Sequence, residues 1–398
     1  MTTWLLPEGI NESLPDEAES LEAFRRQLID LYASWGYRLV NPPIAEYMES
    51  LRIGMGTELD LQTVKVTDQL TGRLMGVRAD MTPQVARIDA HRMKNDDIDQ
   101  RPNRLCYIGT VLRTKAAHQG GSRSPRQVGA ELFGHAGIES DFEVISLMLE
   151  TLEISGIENL ILDIGHVGIA RGLADYVDLN TEEKTRFFDM LARKSLPEIN
   201  DWLEEAQLSS SDADMLAILP TLNGSTDILE SAKSQLLDAG RLVISAIEYL
   251  QSLCELLKRH YPALEINIDL AESRGYAYHT GIVYAVYTPD VGHSIASGGR
   301  YDGIGKAFGN DRPATGFSTD LRTLASLSKQ KISPSKKAIL APSSFDDDLG
   351  KLIKQLRAEG EIVIRQLSNN TSITPQQQNC DRKIEQSANQ WIVVAIEM

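Results

Sequence analysis

The chain has 398 residues, of which 42% are apolar and 24% charged, so it can form two or three domains with buried cores. Its formal charge of −16 disfavours a broad electropositive surface for nucleic acid or an anionic membrane, although it leaves room for a local basic patch. No run approaches the roughly 18 apolar residues of a membrane-spanning helix. The three cysteines are widely spaced and form no CxxC pair, so we expect reduced thiols in a cytoplasmic protein.

The first elements are one helix followed by short strands. Residues 16–35 carry apolar side chains at helical spacing after an acidic start, which predicts an amphipathic helix. The stretch "GYRLVNPPIAEY" (36–47) predicts a strand interrupted by two prolines. Alternating residues from 61 onward, divided by a "TG" turn, predict a strand pair, and a helix is expected to begin near Thr82 and Pro83.

The central part predicts a hairpin and a helix. "RLCYIGTVLRTK" (104–115) and "QVGAELFG" (127–134) read as strands joined by a long loop, with Arg113 inside the first strand. In "ESDFEV", Ser140 and Glu143 match a capping box that would open the next helix. Its inward positions are predicted to be Val144, Leu147, Met148 and Leu152.

A helical module divides the predicted sheet. "NLILDIG" (159–165) is a buried-strand pattern, residues 168–262 show only helical patterning, and strands resume with "EINIDL" and "GIVYAVYT". We predict an α+β core over 1–325, with an antiparallel sheet flanked by helices and the insertion at about 168–262. A linker at 326–336 and a small α/β unit at 337–398 would follow.

Unusual polar residues stand at the ends of the predicted strands. Asp80 and Thr82 lie at a helix start, where a carboxylate and a hydroxyl form an acceptor pair for an amine. Arg113 offers a fixed fork of donors that suits a carboxylate. Gln127 and Glu131 are four residues apart, and an even spacing on a strand places both on one face.

The stretch "SRGYAYHTG" adds Arg274, Tyr278 and His279 beside two glycines. Each residue also has an ordinary interpretation: a strand arginine is more often a surface ion pair, Glu131 a solvated or paired carboxylate, and His279 a satisfied loop histidine. The histidines lack metal-ligand spacing, and neither GxGxxG nor GxxxxGK[ST] is present. We therefore expect no metal and no cofactor.

In their order along the chain, these stretches resemble the core of a histidyl-tRNA synthetase. "GYRLVNPPIAEY" is similar to the first class II motif, "YIGTVLR…QVGAELFG" to the second, and "SGGRYDGIGKAFGNDRPATGFSTDLRTL" to the third. "VRADMTPQVAR" resembles the family's arginine-proline-glutamate-x-threonine stretch, and "RGYAYHTGIVY" its histidine-recognition loop. The resemblance covers roughly residues 5 to 325 and implies the class II synthetase fold.

The resemblance also implies a histidine site. In such a site one group of residues takes the amino group, a second faces the carboxylate and a third contacts the imidazole. In this sequence the resemblance assigns the amino group to Asp80, Thr82 and Gln127. It assigns the carboxylate to Arg113 and Arg274, and the imidazole to Glu131 and Tyr278.

The ATP half departs from the synthetase pattern. Thr114 and Lys115 replace a tyrosine and a glutamate of the second motif. Gly121 and Pro125 stand where that motif has an arginine and an adenine-stacking phenylalanine. The third motif's glycine-leucine-glutamate-arginine becomes Asp320, Leu321, Arg322 and Thr323. Losing an arginine and gaining a carboxylate reverses the electrostatics that a triphosphate needs.

Two further departures point the same way. The recognition loop has Ala277 for an aspartate and His279 for a tyrosine, and fewer than 70 residues follow the linker, too few for the family's anticodon-binding domain. The combination resembles the histidyl-tRNA synthetase-like regulatory subunits of ATP phosphoribosyltransferase, the first enzyme of histidine biosynthesis. The resemblance implies a non-catalytic chain that dimerises through its first-motif helix and strand. It also implies a short catalytic subunit as partner, histidine as feedback ligand, and no tRNA.

Two alternatives stay open. One is a divergent histidyl-tRNA synthetase or a histidine-adenylating enzyme, and the other is a histidine sensor with an unrelated partner. A pull-down distinguishes them, because the regulatory subunit would recover a short phosphoribosyltransferase, a synthetase would recover tRNA, and a sensor would recover some other protein.

Overall fold

The computed structural model describes residues 5–52, 57–93, 101–118, 120–206, 208–273, 275, 278–329, 336–367, 379–388 and 390–396. The chain divides into two compact units, Met1–Gln330 and Lys331–Met398.

The first unit contains twelve strands within its described residues. They are Arg38–Leu39 (β1), Ala45–Tyr47 (β2), Val64–Thr67 (β3), Leu74–Val77 (β4), Asn103–Thr110 (β5), Arg126–Phe133 (β6), Ile161–His166 (β7), Asn223–Gly224 (β8), Glu265–Asp269 (β9), Ile282–Tyr287 (β10), Ala296–Arg300 (β11) and Ala314–Asp320 (β12).

The same residues form twelve α-helices. They are Pro15–Ser34 (α1), Met48–Arg52 (α2), Thr57–Gln62 (α3), Thr82–Arg87 (α4), Ile138–Ile154 (α5), Val167–Tyr176 (α6), Thr181–Ala192 (α7), Leu196–Glu205 (α8), Ser210–Ile218 (α9), Ile228–Gln235 (α10), Arg241–His260 (α11) and Leu321–Leu327 (α12). None of the helices in the described ranges is long and apolar enough to cross a membrane.

A nine-stranded sheet forms the centre of the first unit. Its strand order is β1-β5-β6-β12-β11-β10-β7-β9-β8, and all neighbours are antiparallel except β1 with β5 and β7 with β9. A separate three-stranded antiparallel sheet has the order β2-β4-β3. The predicted α+β class is confirmed. The single strand predicted over 36–47 was wrong, because the residues on either side of the two prolines join different sheets.

Two predicted amphipathic helices are confirmed. The helix α1 begins with Pro15 and two acidic residues, which suit a helix N-terminus. Its buried stripe is Leu21, Phe24, Leu28 and Tyr32. The helix α5 buries all four of its predicted core positions. It contacts β6, β11 and β12, so it covers the part of the sheet that forms the site.

The predicted capping box at the start of α5 is wrong. The helix begins at Ile138 with Gly137 as its N-cap, and the Ser140 hydroxyl donates to the Gly137 carbonyl at 2.7 Å. The Glu143 carboxylate instead accepts two hydrogen bonds from Arg104, at 2.6 Å each. A bidentate ion pair with a distant strand has replaced the local cap.

The segment between β7 and β9 is helical, as its pattern predicts, with one exception. Residues 223–224 form β8, which pairs antiparallel with β9 and extends the sheet by a strand of only two residues. The helix α11 buries the predicted stripe Val243, Ile247, Leu250, Cys254 and Leu257.

The second unit is a four-stranded sheet with one helix among its described residues. The elements are Ala338–Ala341 (β13), Asp347–Ala358 (α13), Val363–Arg365 (β14), Cys380–Ser387 (β15) and Gln390–Ala395 (β16). The strand order is β14-β13-β15-β16. The sequence analysis missed β15, whose charged residues alternate with only two buried side chains, Cys380 and Ile384.

Candidate functional site

A cavity of about 530 Å³ lies at the middle of the nine-stranded sheet. Side chains and backbone from β6, β10, β11 and β12 form its walls, together with the start of α4, the residue Asp80 before it, and the residues that precede β10. Four of the seven predicted site residues line it: Asp80, Thr82, Glu131 and Tyr278. The fold therefore brings together residues that are nearly 200 positions apart in the sequence.

Glu131 is a buried carboxylate in this cavity, with 1% of its surface exposed. Its Oε1 accepts hydrogen bonds from the Tyr107 hydroxyl at 2.9 Å and from the Thr82 hydroxyl at 3.0 Å, and its Oε2 accepts one from the Tyr301 hydroxyl. Burial raises the pKa of Glu131 to about 8, although the hydrogen bonds from Tyr301, Tyr107 and Thr82 oppose that shift.

A glycine on the next strand makes room for this carboxylate. Gly316 on β12 is the direct partner of Glu131 on β6. A Cβ atom at Gly316 would lie 1.5 Å from Glu131 Oε2, which is far inside van der Waals contact. Gly129 serves the same purpose for Tyr107, because a Cβ there would lie 2.4 Å from the phenol oxygen. Glycine is therefore required at both positions, because a neighbouring side chain lies too close to leave room for a Cβ atom.

Asp80 and Gln127 form a second polar group. The Gln127 amide donates Nε2 to Asp80 Oδ1 at 2.7 Å and accepts the backbone N–H of Met81 at 2.9 Å. The Thr82 backbone N–H also donates to Asp80 Oδ1, at 2.9 Å. Within the described residues these hydrogen bonds all fall on Oδ1, so Oδ2 can accept from a ligand.

Tyr278 provides an aromatic wall. Its ring stacks on that of Tyr301, with centroids 5.1 Å apart and planes inclined by 20°. Its hydroxyl is buried and has no hydrogen-bond partner among the described residues, so it can bond to a ligand in the cavity. The neighbouring His279 also lines the cavity; burial lowers the pKa of its ring to about 4, so it is neutral.

Arg113 lies in a neighbouring cavity of about 600 Å³, as does Gln127. The two cavities share four lining residues: Ala117, Ser294, Ser297 and Ser318. Arg113 Nε donates to the Ala79 carbonyl at 3.2 Å, next to Asp80. The strand β5 ends at Thr110, so Arg113 follows the strand rather than lying inside it as predicted. The last predicted residue, Arg274, lies outside the described residues.

The second cavity contains the start of α12, where Asp320 is the N-cap. Asp320 Oδ1 accepts the backbone N–H of Arg126 at 2.9 Å and that of Arg322 at 3.3 Å, and its Oδ2 accepts the Thr323 hydroxyl at 3.1 Å. One backbone N–H and one hydroxyl of this helix start are thus bound by a carboxylate of the protein itself. A phosphate group would meet negative charge there.

The N-terminal segment binds the guanidinium group of Arg322, which lies in the first turn of α12. Arg322 donates Nη2 to the Asn11 carbonyl at 3.1 Å and to the Ser13 hydroxyl at 2.7 Å, and its Nε lies 3.6 Å from a Glu17 carboxylate oxygen. Glu12 lines the same cavity. Three side chains that line this cavity are thus acidic (Glu12, Glu17 and Asp320), and Arg322, one of its two lining arginines, is engaged by the protein, which disfavours a polyanion.

Sequence reasoning missed Tyr107 and Tyr301 as site residues. Both are almost fully buried, so each resembles a core residue in its stretch. Their hydroxyls face Glu131 because of the strand pairing of β5 with β6 and of β11 with β12. The one available signal was Glu131 itself. An acidic residue on a buried strand requires hydrogen-bond donors nearby, and tyrosine hydroxyls are such donors.

Comparisons with known proteins place the chain. The model of the histidyl-tRNA synthetase family matches residues 9–324, and that of the ATP phosphoribosyltransferase subunit HisZ C-terminal domain matches residues 336–394. The ATP phosphoribosyltransferase regulatory subunit of Thioalkalivibrio sulfidiphilus is 50% identical over 98% of both chains. That of Alkalilimnicola ehrlichii is 50% identical over 96% of this chain and 94% of its own. The chain belongs to the family of ATP phosphoribosyltransferase regulatory subunits.

Solved structures agree with this assignment. An ATP phosphoribosyltransferase regulatory subunit/histidyl-tRNA synthetase from Bacillus halodurans superposes with a TM-score of 0.83 at 27% identity, covering 96% of this chain and 98% of the other. Histidyl-tRNA synthetase from Nostoc superposes with a TM-score of 0.76 at 18% identity over 99% and 97% of the two chains, which shows a shared fold alone. The predicted resemblance and the class II synthetase fold are confirmed.

Proposed function

We propose that this chain is a non-catalytic regulatory subunit that activates a short ATP phosphoribosyltransferase catalytic subunit and makes it sensitive to histidine, the end product of the pathway. One observation carries the proposal. A cavity equipped for a small zwitterion with a polar ring adjoins a second cavity whose helix start is bound by Asp320.

Histidine fits the charges and shape of the first cavity. Glu131 and Tyr278 contact the imidazole ring, since Glu131 is buried and Tyr278 forms an aromatic wall with Tyr301. Asp80 Oδ2 accepts from the ammonium group, and Gln127 holds the Asp80 carboxylate in place. The carboxylate extends toward the second cavity, where Arg113 provides donors.

Thr82 has a different role from the one that the resemblance implies. Its hydroxyl bonds to Glu131 and contacts Tyr107, so it supports the ring end of the site. Only its backbone N–H bonds to Asp80, at the ammonium end. We therefore assign Thr82 to the positioning of both carboxylates.

The chain is not expected to activate histidine with ATP. Adenylate formation needs cations at the phosphates, whereas here Asp320 binds the donors of the helix start and Arg322 is engaged by the N-terminal segment. Phosphoribosyl transfer belongs to the catalytic partner. Feedback then requires histidine to favour one state of the complex over another.

Self-association is part of the proposal. The segments from β1 to β4 carry six apolar side chains with 40% to 96% of their surface exposed: Leu39, Ile44, Leu61, Val66, Leu70 and Leu74. Apolar exposure of this kind on short neighbouring segments is typical of an interface. We expect a symmetric dimer through this region, which sedimentation of wild type and of an Ile44→Asp variant would test.

The cytoplasm is the proposed location. Cys106 and Cys254 are free and buried, as expected for a chain that folds under reducing conditions.

The decisive experiment combines the chain with a short ATP phosphoribosyltransferase. We expect phosphoribosyl transfer to rise when the chain is added and to fall again with histidine, and we expect the chain alone to show neither phosphoribosyl transfer nor histidine-dependent ATP–pyrophosphate exchange. Robust exchange by the chain alone would overturn the proposal. A pull-down that recovers only tRNA, or only an unrelated protein, would also contradict it.

The histidine site has its own test. Calorimetric titration of histidine is expected to show binding to the wild type and at least tenfold weaker binding to Glu131→Ala, because the ring loses its buried partner. Glu139→Ala is the matched control, since that carboxylate has 77% of its side chain exposed. Equal affinity in all three proteins would remove Glu131 from the site.

A further inference from the structure

Three oxygen atoms at the closed end of the first cavity form a triangle of short contacts. Thr82 Oγ1 lies 3.0 Å from Tyr107 OH and 3.0 Å from Glu131 Oε1, and Tyr107 OH lies 2.9 Å from the same Oε1. All three distances are those of hydrogen bonds between oxygens. Tyr301 completes the arrangement by donating to the other carboxylate oxygen, Oε2.

The number of hydrogen atoms decides how many of these contacts are bonds. Each hydroxyl provides one hydrogen, and an ionised carboxylate provides none. With Glu131 ionised, two hydrogens serve three contacts, and two oxygens face each other with lone pairs only. With a proton on Oε1, Glu131, Thr82 and Tyr107 each donate once and accept once around the triangle. The protonated state therefore satisfies every contact.

The surroundings favour the same state. The polar groups that bond to Glu131 or surround it in the cavity come from β5, from β10, from the residue after β11, from the start of α4, and from the segments before α4 and β10. They are Asp80, Thr82, Tyr107, Tyr278, His279, Tyr284 and Tyr301. Asp80 is acidic and His279 is neutral, so no cation among the described residues balances a charge on Glu131. Burial accordingly raises the pKa of Glu131.

Two arginines of neighbouring segments are engaged elsewhere. Arg113 donates Nε to the Ala79 carbonyl. Arg300 forms two hydrogen bonds with Asp141, Nε to Oδ2 at 3.1 Å and Nη2 to Oδ1 at 2.9 Å. Neither arginine forms an ion pair with Glu131.

We propose that Glu131 is a neutral carboxylic acid in the ligand-free protein and that it gives its proton to the side-chain ring of the bound ligand. The proposal rests on the histidine-binding function proposed above. The O–H bond of Glu131 breaks and an N–H bond forms at the free ring nitrogen, which yields an imidazolium–carboxylate pair. The pocket then selects ligands whose ring carries a basic nitrogen and rejects amino acids with a phenyl ring.

The unpartnered hydroxyl of Tyr278 fits this step. A protonated imidazole has two N–H donors and needs a second acceptor in addition to Glu131. The Tyr278 hydroxyl is buried, lines the same cavity and has no partner among the described residues. Its oxygen accepts from the second ring nitrogen, and the Tyr107 and Thr82 hydroxyls turn to donate to the newly ionised Glu131.

The proposal reverses the expected pH dependence of binding. Free histidine loses its ring proton near pH 6.5, so neutral ligand and protonated Glu131 coexist between about pH 6.5 and 8. Affinity should be highest in that interval and weaken close to tenfold at about pH 5.5. An ionised Glu131 that attracts imidazolium would give the opposite sign, with tighter binding at about pH 5.5 than at about pH 7.2.

Calorimetry of histidine binding to the wild type tests this difference. At about pH 7.2, titrations in two buffers of different ionisation enthalpy should give the same heat, since the proton passes from protein to ligand with no net exchange. An uptake approaching one proton per histidine, or tighter binding at about pH 5.5, would overturn the proposal. Nitrogen NMR of labelled histidine should show both ring nitrogens protonated in the complex.

A second measurement needs no ligand. The infrared spectrum of the wild type near neutral pH should contain the carbonyl stretch of a buried protonated carboxylic acid, and that band should be absent from Glu131→Gln. Glu139→Gln is the matched control, because it alters an exposed carboxylate and should leave the band in place. If the band is present but histidine does not bind, the proposed function fails while the protonation of Glu131 stands; if no band is present, the inference itself fails.

Discussion

One methyl group added at Gly316 should disturb the site more than any surface change. Gly316 on β12 pairs directly with Glu131 on β6, and both residues lie inside the sheet. In Gly316→Ala the new Cβ would be 1.5 Å from Glu131 Oε2 and 2.8 Å from the Ala130 carbonyl oxygen. The carboxyl group therefore has to move, since the backbone of two paired central strands cannot separate without losing hydrogen bonds.

The expected cost follows from the contacts that Glu131 loses. Displacement takes its carboxyl oxygens away from Tyr301, Tyr107 and Thr82. A buried polar group left without a partner costs about 1–3 kcal/mol, and overpacking adds about 1–3 kcal/mol. Alanine also lowers the conformational entropy of the unfolded chain, which offsets about 0.4–1 kcal/mol of this loss in stability. We expect the free energy of unfolding to fall by about 2–4 kcal/mol.

Urea denaturation followed by circular dichroism measures this loss, and histidine calorimetry on the same samples reports the site. Gly303→Ala is the matched control, because its φ is −81° and a Cβ there meets no atom within 4 Å. The control should raise the free energy of unfolding by about 0.4–1 kcal/mol, because it restricts the unfolded chain without meeting any atom in the folded one. Equal stability of Gly316→Ala and the wild type would refute the close approach of β12 to Glu131.

Three further predictions use the same assays. Asp141→Ala removes the bidentate carboxylate partner of the buried Arg300 guanidinium, which keeps the partly exposed Asp302 at 3.2 Å, and should lower the free energy of unfolding by about 3 kcal/mol in urea. The pKa of Glu131 is about 8 in the folded chain against its usual 4.5, so its stabilising contribution is complete below about pH 4.5 and is lost as the pH rises to about 8. Urea midpoints of the wild type should therefore fall relative to those of Glu131→Gln across that window, and parallel curves would contradict the shift. Arg113→Met should weaken histidine binding by tenfold or more in calorimetry, because a charge-assisted hydrogen bond to the ligand carboxylate is lost; an unchanged affinity would place the carboxylate elsewhere.

Periodicity within one element was enough to predict much of the fold. The apolar stripe of α11 and the even spacing of Gln127 and Glu131 depend only on local geometry. In the structure the stripe of α11 is buried, and Gln127 and Glu131 lie on the same strand, β6. The predicted capping box failed for a physical reason that local patterns do not contain. Glu143 binds Arg104, which is 39 residues away, and that ion pair satisfies the carboxylate better than a backbone N–H at the helix start.

The donors around Glu131 could not be predicted for a related reason. Whether the hydroxyls of Tyr107 and Tyr301 meet this carboxylate depends on the register of β5 and β11 against their neighbours, and a shift of one residue turns each side chain to the other face. In the sequence both tyrosines resemble ordinary core residues. The strand β15 was missed because its exposed side is charged and short of β-branched residues, whereas pairing with β13 and β16 stabilises it.

The start of α12 combines a side-chain cap with a local negative charge. A glycine there leaves helix N–H groups available to an anion, whereas Asp320 bonds to the backbone N–H groups of Arg126 and Arg322 and joins β6 to α12 within one chain. Such a cap stabilises the helix by about 0.5–2 kcal/mol and places a negative charge where phosphate would bind. Asp320 therefore stabilises the start of α12 and disfavours an anion at the same position.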